Sequence, residues 1–311
     1  MNWFSLVSAG QGALVQGILW GIMAIGVFLT FRVLNYPDMT ADGSFALGGA
    51  VCATGIINGL HPLAALLIAM ICGAAAGYIT AFLHTVLDIP AILSGILTQI
   101  SLYSINLRIM GRANTPLLKY ETLFSLFEGF LHSIGLQLKA VYAEMILSLL
   151  FTVLVIVILY WFFGTEIGCA IRATGNNEFM VRAQGQNTNT TKLITLMLSN
   201  GLIAFSGGLM AMNQGFADTG MGVGAIVIGL ASIVIGEVVL GHFKSFGSLL
   251  LSIIIGSIVY RLIIAIVLQL GLKTDDMKLL TATLVAVALG LPVIRTRLTD
   301  RRGKKQGGNL C

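Results

Sequence analysis

From Gln11 to Phe31 the chain runs through 21 residues without one charged side chain, and blocks of this kind recur almost to its end. About 20 such residues, wound as an α-helix, cross the hydrocarbon of a bilayer, and the helix satisfies its own backbone there. Further blocks stand at Gly43 to Gly59, Pro62 to Leu83, Ala91 to Met110, Val141 to Phe163, Leu193 to Met212, Val223 to Leu240, Phe246 to Leu270 and Leu279 to Ile294. They predict an all-α polytopic membrane protein of about nine transmembrane helices, in one domain over residues 1–311. Composition agrees, because only 10% of residues are charged and mean hydropathy is +0.93. A water-facing surface needs about 25%. The amino-terminal residues lack a basic flank, so the first block reads as a retained span.

Lysine and arginine set the expected orientation. With the loop from Thr165 to Lys192 on the cytoplasmic side, eleven basic residues collect there and six on the other, Arg261 lying inside a span. The positive-inside rule then places the amino terminus outside and the carboxyl terminus in the cytoplasm. The basic tail over 295–311 reads as an ordinary flank facing membrane lipid, and nothing in it calls for nucleic acid.

That cytoplasmic loop, TEIGCAIRATGNNEFMVRAQGQNTNTTK, is the one long polar interruption. It reads as two short helices joined at Gly175, with Asn176 or Asn177 capping the second and Gly185 ending it. Phe179, Met180 and Ala183 share a face of the second, an apolar knob for a cytoplasmic partner or simply part of a tether. On the outer side, 120–139 has apolar residues at helical spacing, including Leu123, Phe127, Phe130, Ile134 and Leu138, but is too polar to span. An interfacial amphipathic helix is expected there.

Two segments look alike, MTADGSFALGGAVCATG from Met39 and TGMGVGAIVIGLASIVIG from Thr219, with Asp42 and Asp218 in corresponding places. Short glycine-interrupted segments entering from opposite sides suggest an inverted repeat and a transport path. In the fourth span Ser94, Thr98, Ser101 and Arg108 fall on one helical face, lining a path or packing the bundle. Asp42, Ser44, Ser94, Thr98 and Ser101 are therefore the candidate pathway residues. Arg261 is costly in mid-membrane and calls either for a partner, such as Glu237 or Glu144, or for snorkelling to the interface. GxxxG spacings at Gly17/Gly21, Gly55/Gly59, Gly73/Gly77 and Gly220/Gly224 suggest close helix crossings.

Catalytic chemistry is not visible. The chain has no GxxxxGK[ST] loop, no Ser/His/Asp, HExxH or paired-carboxylate arrangement, and its Cys and His residues are dispersed, so neither an enzyme nor a metal site is expected.

The run RATGNNEFMVRAQGQNTNTTKLITLMLSNGLIAFSGGLMA resembles the signature region of the permease family of bacterial branched-chain amino acid and ribose ABC importers. The matching positions are Arg172, Gly175, Asn177, Ala183, Gly185, Ser199, Gly201, Ala204, Gly207 and Gly208. DGSFALGGAV and GLASIVIGEVVLGHFKSFGSLLLSIIIG are also similar to that family's equivalents, although its paired glycines stand here as Gly236 and Glu237. The combination with VYRLIIAI looks most like a single-permease branch linked to amino acids, aromatic ones included. What the resemblance implies is half of an importer in a bacterial cell membrane. Two permease copies form the path, an external binding protein delivers the solute, and a cytoplasmic ATPase pair binds ATP and Mg²⁺, so this chain needs no cofactor. Arg172, Gly175, Asn176, Asn177, Glu178, Phe179, Met180, Arg182, Ala183 and Gly185 would then form the coupling element. The alternative from another class is an ion-driven secondary transporter using Asp42 and Arg261.

Overall fold

The computed structural model describes residues 3–135, 139–241 and 245–270, together with 279, 281–283, 285, 286 and 290. The first helix, α1 (Trp3–Phe28), widens into a π-turn over Leu29–Val33, and α2 (Thr40–Ile57) follows a short link that buries Leu34, Tyr36 and Asp38. Then come α3 (Pro62–Thr85), α4 (Ala91–Met110), strand β1 (Asn114–Pro116), α5 (Leu123–Ser133), α6 (Ala140–Phe163), α7 (Glu166–Asn176), α8 (Glu178–Ala183), α9 (Thr188–Gln214), β2 (Phe216–Asp218), α10 (Ala225–Leu240) and α11 (Phe246–Gln269). Helices thus stand in eight of the nine expected places. The ninth place, Leu279 to Ile294, and the basic tail lie largely or wholly outside the described residues.

Among the described residues six helices are long and apolar enough to cross a bilayer, those at Ala9–Val33, Thr40–Ile57, Pro62–Thr85, Ala140–Phe163, Thr188–Gln214 and Phe246–Gln269. At 16 residues α10 is shorter, and α4 has the length but more polar side chains. Burial sorts the six into two layers. Around 80% of each most apolar window is buried in the first, second and fifth (83%, 78%, 78%), against 39% to 44% in the others. Thus α1, α2 and α9 form the centre, and α3, α6 and α11 turn apolar faces outward.

Small residues let the central helices touch. A Cβ on Gly48 of α2 would strike the Ala204 carbonyl of α9, and one on Gly73 or Gly77 of α3 would strike the carbonyl of Asn200 or Leu196. Gly17 and Gly21 likewise pack against Ile258 and Ile254 of α11. Two of the four expected glycine pairs therefore mark crossings. The other two do not: Gly59 and Gly224 end or begin helices at φ +85° and +84° with no neighbour at the Cβ position. Serines add directional contacts to α1, as Ser199, Ser206 and Ser257 each donate at 2.7 Å to the carbonyls of Gly26, Leu19 and Gly17.

At one end of the bundle α4 and α9 stop at Gly111 and Gly215, both left-handed, and the chain turns into β1 and β2. These pair antiparallel, Thr115 opposite Ala217. Next to them lies α5, shorter than the predicted 120–139, opened by a reciprocal Thr122/Ser125 capping box and burying Leu123 and Phe124. Leu138 lies outside the described residues, and Lys139 already caps α6. From β2 the chain runs back along α2, where Met221 meets Gly49 and Gly222 meets the Asp42 carbonyl. Helix α10 therefore starts inside the bundle, beside the first turn of α2.

Candidate functional site

Two places concentrate polar chemistry. The first is the α7–α8 hairpin. Thr165 caps α7 by accepting from Gly168 N, and Asn177 caps α8 by accepting from Met180 N at 3.0 Å. The break between the helices falls at the extended Asn177, not at Gly175 as expected. Gly175 lies in the last turn of α7, where its bare Cα rests on the Val33 carbonyl at the end of α1. Gly185, at φ +82°, ends the second helix as predicted.

Glu178 holds the hairpin to α9. Its Oε1 accepts from Arg182 Nη2 at 2.7 Å, Lys192 Nζ at 2.8 Å and Thr188 Oγ1 at 3.1 Å. Partial burial alone would raise its pKa, but the hydrogen bond and charge of Lys192, with Thr188 and Arg182, hold it below the usual carboxylate value. Val181 is buried, while Phe179 and Met180 stand 83% and 57% exposed with Ala183 beside them. Arg172 donates to the Phe163 carbonyl at 3.0 Å, tying α7 to the end of α6. Asn176 faces an open hollow of about 420 Å³ shared with Arg32, Arg172 and Glu237.

The second place is a buried polar seam between α2, α3, α4 and α9. Asp38 is fully buried: one carboxylate oxygen accepts from Thr40 N at 2.9 Å, the other from Asn200 Nδ2 at 2.7 Å. Asn200 Oδ1 accepts from Ser44 Oγ at 2.7 Å. Thr40, Thr80 and Thr98 join by hydroxyl contacts of 2.7 and 3.0 Å, and Tyr36 and Ser94 by one of 2.8 Å. No cation faces Asp38 among the described residues. In this link between two spans, burial pushes its carboxyl pKa up against the pull of its hydrogen bonds, and burial takes the Tyr36 phenol to about 12.

Of the candidate pathway residues, Ser44, Ser94 and Thr98 lie in this seam and Ser101 does not. The buried stripe of α4 runs Ser94, Thr98, Leu102, Asn106, Met110, stepping by four and drifting round the helix. Ser101 and Arg108 are left exposed, the serine bonded to its own helix at Leu97 O. Asp42 lies beside the seam with a different task, its two oxygens accepting from Gly224 N and Ile226 N at 3.0 Å each. It caps α10 from another helix. Asp218, its counterpart in the sequence, instead accepts from Gly220 N inside its own turn.

Arg261 corrects another expectation. Neither carboxylate reaches it, since Glu237 pairs with Arg32 at 3.2 Å and Glu144 accepts from Asn213 at 3.1 Å. Its guanidinium lies 4.3 Å from the Trp20 ring centre, a cation–π contact that offsets lost hydration, with no carboxylate paired to it among the described residues. Sequence reasoning missed Tyr36, Asp38, Thr40, Thr80 and Asn200. An amide in mid-span, as at Asn200, was the one readable signal.

The family model for the branched-chain amino acid transport system permease component matches residues 11–290. A tyrosine transport system permease protein of Clostridioides difficile is 38% identical over 94% of this chain and 94% of its own. The "Probable branched-chain amino acid transport permease protein LivH" of Methanocaldococcus jannaschii is 27% identical over 62% of each chain. Among solved structures, a chain of "PsaBC from Streptococcus pneumoniae in complex with Fab" overlays with TM-score 0.49 at 18% identity, over 92% of this chain and 91% of that one, too slight a likeness to argue from. By the family match and the 38% relative together, this multi-pass membrane protein belongs to the branched-chain amino acid transport system permease family.

Proposed function

We propose that the chain is the membrane subunit of an ATP-driven ABC importer, working as a pair of copies with a cytoplasmic ATPase and an external binding protein. The observation that carries this is the α7–α8 hairpin. It presents Phe179, Met180 and Ala183 to solvent on a six-residue helix that Asn177 and the Glu178 cluster hold rigid. A transporter needing no motor has little use for an apolar knob fixed on a polar end. In this reading ATP and Mg²⁺ bind to the partner, and the hairpin carries the motion of that ATPase into the bundle. The hairpin side is cytoplasmic, the β1–β2 side external, and the single domain crosses the membrane nine times, with an inverted relation between its halves. The solute is an amino acid or a related compound, supported by the named cargo of the 38% relative. Ser44, Ser94 and Thr98 border its path.

The ion-driven alternative has less support, since Arg261 lies against Trp20 and Asp42 already accepts from two amides at the start of α10. Replacing Phe179 by Asp should abolish binding-protein-stimulated ATPase activity of the assembled complex, while the chain still inserts and unfolds at the wild-type temperature. Unchanged stimulation would refute the coupling role, and ion-gradient-driven uptake by this chain alone would refute the importer.

A further inference from the structure

Where α2, α4 and the link into α10 meet, a cavity of about 50 Å³ is lined by Asp42, Gln99, Tyr103, Asn106 and Thr219, among others. Its polar lining is rich in acceptors. Asn106 is only 1% exposed; its Nδ2 donates to the Gly43 carbonyl at 3.4 Å, and its Oδ1 has no partner among the described residues. A buried amide oxygen in that state is costly, and a ligand or water that donates to it removes the cost. Asp42 faces the amides of Gly224, Ala225 and Ile226 at the start of α10 and has no cationic partner among the described residues. A carboxylate carries about four acceptor sites, so some remain. The Thr219 hydroxyl adds a third acceptor, and Tyr103, 56% exposed, sets an aromatic ring at the rim. An anion would meet the negative charge of Asp42 and the unmet Asn106 Oδ1, and an apolar group would leave that oxygen unmet. A compact cation with several N–H donors suits all three groups, and the space admits a head group, not a whole amino acid.

We propose that this cavity is a subsite for the primary ammonium group of the solute as it passes, Asn106 Oδ1 and Asp42 accepting its hydrogens and Tyr103 flanking it. The proposal rests on the permease reading, whose own test is the ATPase coupling.

Two measurements on the complete transporter decide it. In proteoliposomes supplied with the binding protein and a mixture of the twenty ¹⁴C-labelled protein amino acids, Asn106→Leu should slow uptake about tenfold, the loss of one charge-assisted hydrogen bond. The Asn106→Leu complex should still assemble with its ATPase and unfold at the wild-type temperature, and Asn106→Asp, which keeps an acceptor there, should restore uptake. In a variant with its four native cysteines replaced by alanine, methylammonium chloride should slow thiosulfonate labelling of Tyr103→Cys, and Asn106→Leu should remove that protection. Wild-type uptake in Asn106→Leu, with no protection by methylammonium, would mean that the cavity holds only a water. Equal protection by sodium chloride would make it an alkali-ion site, and protection by sodium acetate but not by methylammonium would make it an anion site; each overturns the proposal. Stimulated ATPase without uptake of any of the labelled amino acids overturns the ammonium assignment alone, whereas a wild-type complex that never stimulates overturns the permease reading beneath it.

Discussion

The hairpin and the buried seam are built from similar residue types, carboxylates, amides and hydroxyls, and they solve opposite problems. At the hairpin water reaches most polar groups, so charges are spent freely: Glu178 gathers Arg182 and Lys192, and the pair with the exposed Arg182 is worth about 1 kcal/mol or less. In the seam no water competes, and the one carboxylate, Asp38, is met by an amide and a backbone N–H. An unmatched group there costs several times more. The hairpin is therefore held by several individually weak contacts, while the seam has no inexpensive alternative arrangement.

The sharpest way to break that contrast is Asn200→Leu. It strips Asp38 of its side-chain donor and Ser44 of its acceptor, and should cost about 3 kcal/mol or more, read as a lower unfolding temperature in detergent. Adding Asp38→Leu should recover part of that loss, because replacing both partners removes the unmatched charge. If the single variant unfolds like wild type, the seam is not what holds α2 to α9. A smaller effect is expected at the hairpin: Asn177→Ala removes a cap worth about 1 kcal/mol, so hydrogen exchange should quicken across α8 while the unfolding temperature of the bundle stays put. A shift of the whole bundle would mean that the two regions fold as one unit.

The smallest effect sets the two carboxylates against each other. Glu178 releases its proton more readily in the folded chain, so its contribution is complete above the ordinary carboxylate value and is lost as pH falls through the lower folded one. Asp38 is shifted the other way, so the penalty of its buried charge is full above its raised folded value and disappears on acidification. Acid should thus speed amide exchange in α8, after correction for the intrinsic rate, without loosening the amides around Asp38. Glu178→Gln should remove the α8 step. Its persistence in that variant would assign the step to another group.

Much of this was legible in the sequence for a local reason. Apolar length places a helix wherever it occurs, and α4 falls at Ala91–Met110 as expected. Caps act within a few residues, so Asn177 and Gly185 could be read at the hairpin, although the bend moved from Gly175 to Asn177. What failed depended on the crossing of helices. Ser101 lies on the same nominal helical face as Ser94, but the contact stripe of α4 steps by four and leaves it behind. The partner of Arg261 sits more than 200 residues away in the chain, and charge pairing favoured a carboxylate over the aromatic ring that fills the role. Asp42 and Asp218 matched in pattern, yet only Asp42 faces the start of another helix.

The contact of Gly175 with the Val33 carbonyl places a stiff strut against a compliant joint. Val33 closes the π-turn that ends α1, where each turn holds an extra residue and the backbone geometry is less favourable than in an α-helix. With no side chain between them, a push along α7 would meet the end of α1 directly. The turn at Leu29–Val33 is where α1 would yield first, and the tightly packed stretch beyond it could then tilt as a single body.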